Sequence, residues 1–326
     1  MITAPRRSRR WRYAILAAAG VALAGATAGA AMTLAAPGIS AAASKRCFGA
    51  AARDPDRACG NLTRSAVPGL DVPERGSPCK PVPSKLDTLC AFGVAPSKAV
   101  RHIALLGDSH AMNWRAAVDA VARDRRWRAY SISLPGCVFS EAVAELPEGR
   151  RESCTQWYRS VRAWFARHPE ISVVFVSHNA SAPIVPGPGE RYSDVMLAGW
   201  TRAWTALPSS IKKIIVLRDA PDPADDTLRC LRRVLADGKQ RPGPACATAR
   251  AEAVRWDSAV SAADNLHAKR YRFVDLTSFF CGRRSCYPVV GGVRVYDDVL
   301  GHFTTAFSRT LGPYLLREVR RLIATW

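Results

Sequence analysis

His102-Ile103-Ala104-Leu105-Leu106-Gly107-Asp108-Ser109-His110 is the stretch that decides the fold. Its first half is a short apolar run ended by glycine. That is how a strand buried on both faces of a sheet reads. Its second half leads into a helix-like stretch from Asn113 to Arg123. Further along the chain, Trp127–Leu134, Ser172–Val176, Lys213–Leu217 and Tyr271–Leu276 read as strands. Thr155–Arg167, Ser193–Leu207, Thr248–Ala268 and Thr304–Ala324 read as helices, and Pro169 supplies an ordinary stop to the first of them. Strands alternating with helices predict a three-layer α/β domain with about five mostly parallel strands. In such sheets sites form at the carboxyl ends of strands, so those ends are where chemistry is sought.

The rest of the composition sets the compartment. The chain has 326 residues, 48% of them hydrophobic and 23% charged, which is the profile of a globular protein. Residues 1–12 form a basic segment with Arg6, Arg7, Arg9, Arg10 and Arg12. Residues 13–36 are uncharged and mostly Ala, Gly, Leu and Val, long enough for a transmembrane helix. Positive charge before that segment puts the N-terminus inside and the remainder outside. The alternative is a signal peptide cleaved near Ala41-Ala42-Ala43. Either way the main domain is exported, as a single-pass membrane protein or as a secreted one. Residues 37–97 read as a linker and a disulfide-tied irregular segment, and residues 98–326 as the α/β domain.

The net charge is +20, and the chain keeps +15 once the five N-terminal arginines are set aside. A basic surface attracts acidic polymers. Export excludes nucleic acid as the partner, which leaves anionic lipid or envelope polymer.

All ten cysteines follow the apolar segment, and in an oxidising compartment an even set reads as disulfides. Pairing neighbours is the simplest scheme: Cys47–Cys59, Cys79–Cys90, Cys137–Cys154, Cys230–Cys246 and Cys281–Cys286. The sequence leaves the connectivity open. Structural zinc sites need two closely spaced Cys/His pairs, and the tightest spacing here, Cys281 to Cys286, has no second pair of that kind. Neither a metal nor a cofactor is expected.

Four places carry candidate chemistry, three of them at strand ends. Ser109 lies where a strand turns into a helix, so its hydroxyl is exposed and its backbone N–H points out of the helix N-terminus. The same residue is also an ordinary helix-capping serine. Gly136, in Leu134-Pro135-Gly136-Cys137, lets a backbone N–H come close to a substrate, or simply makes a turn. Asn179, in Val176-Ser177-His178-Asn179, offers a side-chain amide, or simply sits in a turn. Near the C-terminus, Tyr296-Asp297-Asp298-Val299-Leu300-Gly301-His302 places carboxylates a few residues before a histidine. There they can hold one imidazole nitrogen and leave the other free to take a proton. Of the six histidines, His302 has the best local carboxylate, while His168 and His267 read as surface residues.

This ordered set resembles the SGNH (GDSL-like) hydrolase superfamily. More narrowly it resembles the extracytoplasmic SGNH domain fused to membrane O-acyltransferases of the acyltransferase-3 type. The narrower likeness rests on Leu106-Gly107-Asp108-Ser109-His110-Ala111 with Trp114, on Pro135-Gly136-Cys137, and on Cys154 with Trp157. Cys281 and Cys286 ahead of Val293–Asp298, and His302-Phe303-Thr304, complete it. It covers about residues 79–320.

The resemblance implies a flavodoxin-like α/β/α fold and a serine mechanism. Ser109 would be the nucleophile and, through its N–H, an oxyanion donor. Gly136 and Asn179 would be further donors, and His302 the base. In the family the aspartate stands three residues before the histidine, but here position 299 is valine. Asp298, four before, is the expected orienting residue, with Asp297 in reserve. The acyltransferase-linked group often lacks the asparagine, and its serine is followed by histidine, as Ser109 is by His110.

The expected function is a serine esterase or O-acyltransferase working on acyl, chiefly acetyl, esters of envelope polysaccharide. A membrane acyltransferase is a further expected partner. The alternative is an inactive domain that binds anionic wall polymer.

Overall fold

The computed structural model describes residues 47–56, 59, 78–84, 86 and 88–323. The basic segment and the predicted anchor or signal lie outside them. Among the described residues no helix is long and apolar enough to cross a membrane.

The centre is one seven-stranded sheet. Its strands are β1 (Lys80–Pro81), β2 (Leu89–Gly93), β3 (Arg101–Gly107), β4 (Trp127–Ser133), β5 (Ile171–Ser177), β6 (Lys213–Leu217) and β7 (Tyr271–Val274). In space they run β1-β2-β4-β3-β5-β6-β7. The five from β3 to β7 pair parallel and correspond to the five read from the sequence. Antiparallel β2 pairs with β4, and β1 with β2, extending one edge. The sequence reading left both edge strands in the irregular segment. β1 is too short to show a period, and β2 is embedded in a stretch rich in Pro, Cys and charge with little periodicity.

Parallel strands need crossovers, and helices supply them. These are α1 (Ser109–Asn113), α2 (Arg115–Asp124), α3 (Glu148–Arg167), α4 (Tyr192–Thr205), α5 (Thr227–Asp237) and α6 (Ser258–Asn265), and α7 (Thr305–Ile323) follows the last strand. Two four-residue helices, Pro242–Ala245 and Arg250–Ala253, fill the stretch before α6.

The predicted single helix over Thr248–Ala268 is therefore broken. Thr248–Ala249 instead pairs as a short strand with Ser285–Cys286. Asp257 then starts α6 afresh, its carboxylate accepting from the N–H groups of Ala259 and Val260 at 3.0 Å. An alanine-rich window has helical propensity throughout, but a side chain that satisfies orphan N–H groups marks a new start.

The strand period sorts the core into two layers. Ile103 and Leu105 face α2 and α7, alongside Val118, Val121, Phe307 and Leu311. Ala104 and Leu106 face the other way, with Trp157, Trp164, Trp200 and Trp204. All four β3 residues are fully buried, which is why the run carries no polar alternation.

The five disulfides pair sequence neighbours: Cys47–Cys59, Cys79–Cys90, Cys137–Cys154, Cys230–Cys246 and Cys281–Cys286. Strand order reverses at β3, between β4 and β5. In open α/β sheets the crevice beyond the strand ends at such a switch point is where ligands bind.

Candidate active site

The turn from β3 into α1 is built around two residues. Gly107 has φ of +152°, and a Cβ there would lie 1.8 Å from the Ser177 carbonyl oxygen on β5, so only glycine lets the two strand ends close. Asp108 then caps α1, its Oδ1 accepting from the His110 N–H at 2.8 Å. Its Oδ2 accepts from the Asn179 N–H at 2.9 Å, which ties β3 to the loop after β5. Asp108 is buried. Burial pushes its carboxyl up, against the pull of His110 and the Asn179 N–H. Ser109, the first helical residue, is left half-buried at the crevice.

His302 arrives from a hairpin-like loop. Tyr296 and Phe303 form a β-bridge, and the Asp297 N–H donates to the His302 carbonyl at 2.8 Å. Phe303 packs edge-on against Trp114 with ring centroids 5.1 Å apart. The loop is thus pinned on an aromatic five residues beyond Ser109. Thr304 ends the loop, its hydroxyl accepting from the Phe307 N–H at 3.1 Å at the start of α7.

The result is a continuous chain of polar atoms. Ser109 Oγ lies 2.8 Å from His302 Nε2, and His302 Nδ1 lies 2.5 Å from Asp298 Oδ2. Asp298 Oδ1 accepts from the N–H groups of Leu300 at 2.9 Å and His302 at 3.2 Å, so the carboxylate is held by its own loop. Asp297 points elsewhere, to Arg294 Nη2 at 3.0 Å. A hydroxyl, an imidazole and a carboxylate linked in this order can shift the serine proton onto the imidazole as the hydroxyl attacks a carbonyl.

Gly136 and Asn179 sit just past β4 and β5, the strands paired on either side of Gly107. Gly136 has φ of +75° and is exposed. The Asn179 Oδ1 accepts from the Ser181 N–H at 2.8 Å, which orients the carboxamide. Among the described residues neither makes a hydrogen bond to Ser109.

The sequence reading missed Asp219. It follows β6 and lies buried, its Oδ1 2.7 Å from His110 Nδ1. Its Oδ2 accepts from the Ala180 N–H, and its own N–H donates to Asp257. The His110 ring stands 5.0 Å from that of His302. Burial pulls the His110 imidazole down. Asp219, with Asp108 and Asp222 behind it, overcomes that and raises it to about 9. Its one sequence signal was an aspartate two residues past a strand end. Among the described residues no group of three or more His, Cys, Asp or Glu side chains converges as a metal site.

The family description "SGNH domain (fused to AT3 domains)" matches residues 78–317. No curated protein matches the chain. Among solved structures it is similar to the periplasmic domain of the lipopolysaccharide acetyltransferase of Salmonella ser. Paratyphi A. That structure is 12% identical with a TM-score of 0.52, and the likeness covers 70% of this chain and 90% of that one. It is a likeness of fold. The match of the family description over residues 78–317 makes this chain a member of the SGNH domains of the kind fused to AT3 domains.

Proposed function

We propose that this chain is a serine esterase or O-acyltransferase that works on acyl esters, chiefly acetyl, of envelope polysaccharide. The observation that carries the reading is the unbroken relay from Ser109 Oγ through His302 to Asp298, at 2.8 and 2.5 Å.

In the proposed cycle Ser109 Oγ attacks the ester carbonyl carbon while its proton passes to His302 Nε2. Asp298 keeps the imidazole in the tautomer that can accept it. The oxyanion that forms faces the N–H groups of Ser109 and Gly136 and the Asn179 carboxamide. Each such donor contributes about 3 kcal/mol to the transition state. The carbon–oxygen bond to the leaving alcohol then breaks, and His302 returns the proton to that oxygen. Water or a sugar hydroxyl, deprotonated by His302, next attacks the acyl-serine and releases the acid or the new ester. The four-residue spacing from Asp298 to His302, the departure from the family's pattern, is compatible with this chemistry because the loop folds the carboxylate back onto Nδ1.

Export supports an envelope substrate, with a membrane acyltransferase as one source of acyl groups. A fluorophosphonate probe should label the wild-type chain and leave the Ser109→Ala variant unlabelled; a wild-type chain that does not react overturns the reading. Supplying an acyl donor with and without a glycan acceptor, and following products by mass spectrometry, then separates hydrolysis from transfer.

A further inference from the structure

We infer that the cleft between α3 and the loops after β4 and β5 holds an acidic stretch of the glycan that carries the ester, binding its carboxylate or phosphate groups. The inference rests on the esterase or transferase reading for what that glycan is for, and on the cleft alone for what it binds.

The cleft has a volume of about 430 Å³, and Gly136 is among the residues that line it. Its far wall is made of two loop segments that pair through the Ala144–Ile184 bridge and the hydrogen bond from Val185 N–H to the Val143 carbonyl. Its near wall is one face of α3. The Cys137–Cys154 disulfide joins the Gly136 turn to that helix, so the cleft and the proposed oxyanion turn form one covalently tied unit. Neither Ser109 nor His302 lines it. Its occupant is therefore the part of the substrate beyond the reacting carbonyl, and not the acyl group.

Three arginines, Arg151, Arg159 and Arg162, line the cleft. At eleven residues from first to last they run about 16 Å along the helix. All three are exposed. Among the described residues the guanidinium groups of Arg151 and Arg159 form no ion pair or hydrogen bond, and Arg162 lies over the Tyr158 ring at 5.7 Å. The carboxylate in the same cleft, Glu141, is already engaged: Tyr158 donates to it at 2.8 Å, and Arg202 pairs with it at 3.0 Å. The cleft therefore keeps uncompensated positive charge facing apolar residues of the far wall, Val143 and Ile184.

A second, more open volume of about 680 Å³ continues along α3 and shares Arg151, Thr155 and Arg159 with the first. Glu148 and Glu152 line only that outer part. An extended polymer has room to run along α3 through both volumes, with its acidic groups at the arginines. Guanidinium groups match carboxylates and phosphates as planar forks. The C–H faces of sugar rings suit the apolar residues of the far wall.

Binding can be measured without turnover by using the full chain with Ser109→Ala. The probes are a polygalacturonate, a glycerol-phosphate polymer and neutral dextran, titrated calorimetrically at one ionic strength. The expected result is at least tenfold tighter binding of one or both acidic polymers than of dextran. The stronger of the two identifies the acidic group. Arg151→Gln with Arg159→Gln should remove that preference by tenfold or more. A control with Arg229→Gln and Arg232→Gln on α5, which removes the same charge away from the cleft, should keep it. Circular dichroism and melting temperature verify that the variants fold.

Equal binding of dextran, binding of none of the polymers, or equal losses in the cleft and control variants each overturn the inference. Failure of the Ser109 probe assay would instead overturn the catalytic reading and leave the binding result standing.

Discussion

Asp219 Oδ1 lies 2.7 Å from His110 Nδ1, with both side chains nearly sealed from solvent. The pair joins the residue after the candidate nucleophile to the end of β6, two strands away. Asp219 also accepts from the Ala180 N–H and so touches the loop after β5. One carboxylate thereby fastens three strand ends around the crevice. Removing one partner of a buried ion pair leaves the other uncompensated, at a cost of about 3–5 kcal/mol. Urea unfolding of Asp219→Asn should show a loss of that size; a loss under 1 kcal/mol would mean that the pair does not hold the strand ends.

The same pair makes stability depend on pH. His110 is held at about 9 in the fold, against its ordinary value of 6.5. Between those values the folded chain binds a proton that the unfolded chain has released. Stability from this group is therefore complete below about pH 6.5 and lost as pH rises through about 9. Denaturation midpoints measured across that range should fall with pH, and the fall should flatten in Asp219→Asn. Burial also raises the carboxyls of Asp108 and Asp222, so the comparison with Asp219→Asn is what assigns the fall to the His110 pair.

Ser109 and His302 act as a unit in the proposed cycle, so their losses should not add. Ser109→Ala and His302→Ala are each expected to lower kcat on an aryl acetate by about 10³-fold or more. The double variant should be no worse than the poorer single one. Steady-state rates of the three proteins check this. Independent, multiplying losses would mean that the two side chains do not share one proton transfer.

The two neighbouring aspartates should behave differently. Asp298 meets His302 Nδ1, whereas Asp297 pairs with Arg294 on the surface side of the loop. Asp298→Asn should leave the imidazole in the wrong tautomer and reduce kcat by up to about 10⁴-fold. Asp297→Asn should change it less than about threefold, since an exposed ion pair contributes at most about 1 kcal/mol. Comparing kcat for the two variants at one pH decides between them.

Gly107 should tolerate no side chain. Its positive φ and the 1.8 Å approach of a Cβ to the Ser177 oxygen require β3 and β5 to separate at their ends. Gly107→Ala is expected to cost at least about 2 kcal/mol and to lower activity as well, because the same turn sets Ser109. Thermal melting with a parallel rate assay tests both halves.

Much of this was legible in the chain because it is local. The five parallel strands show as short apolar runs buried on both faces. The disulfides join neighbours, so sequence proximity was a sound guide to pairing. Asp298 and His302 share one loop, and four residues are enough for the carboxylate to reach the ring. β1, β2 and the break before α6 were missed, because β1 is too short to show a pattern, β2 lies in a Pro- and Cys-rich stretch with little periodicity, and alanine favours helix on both sides of Asp257.

Whatever depends on distant segments came from the folded arrangement. Ser109 and His302 are 193 positions apart, and His110 and Asp219 109 apart. No window of sequence contains either pair. Asp219 meets His110 because parallel crossovers bring the carboxyl ends of successive strands to one edge of the sheet, where the chain reverses its order at β3, and His302 is brought there by the loop that packs Phe303 on Trp114. The unpaired arginines of α3 likewise gained their meaning from the loops packed opposite them. Periodicity and capping act within a few residues and can be read along the chain. Strand order and the convergence of loops arise from packing across the whole core, and those are what assembled this site.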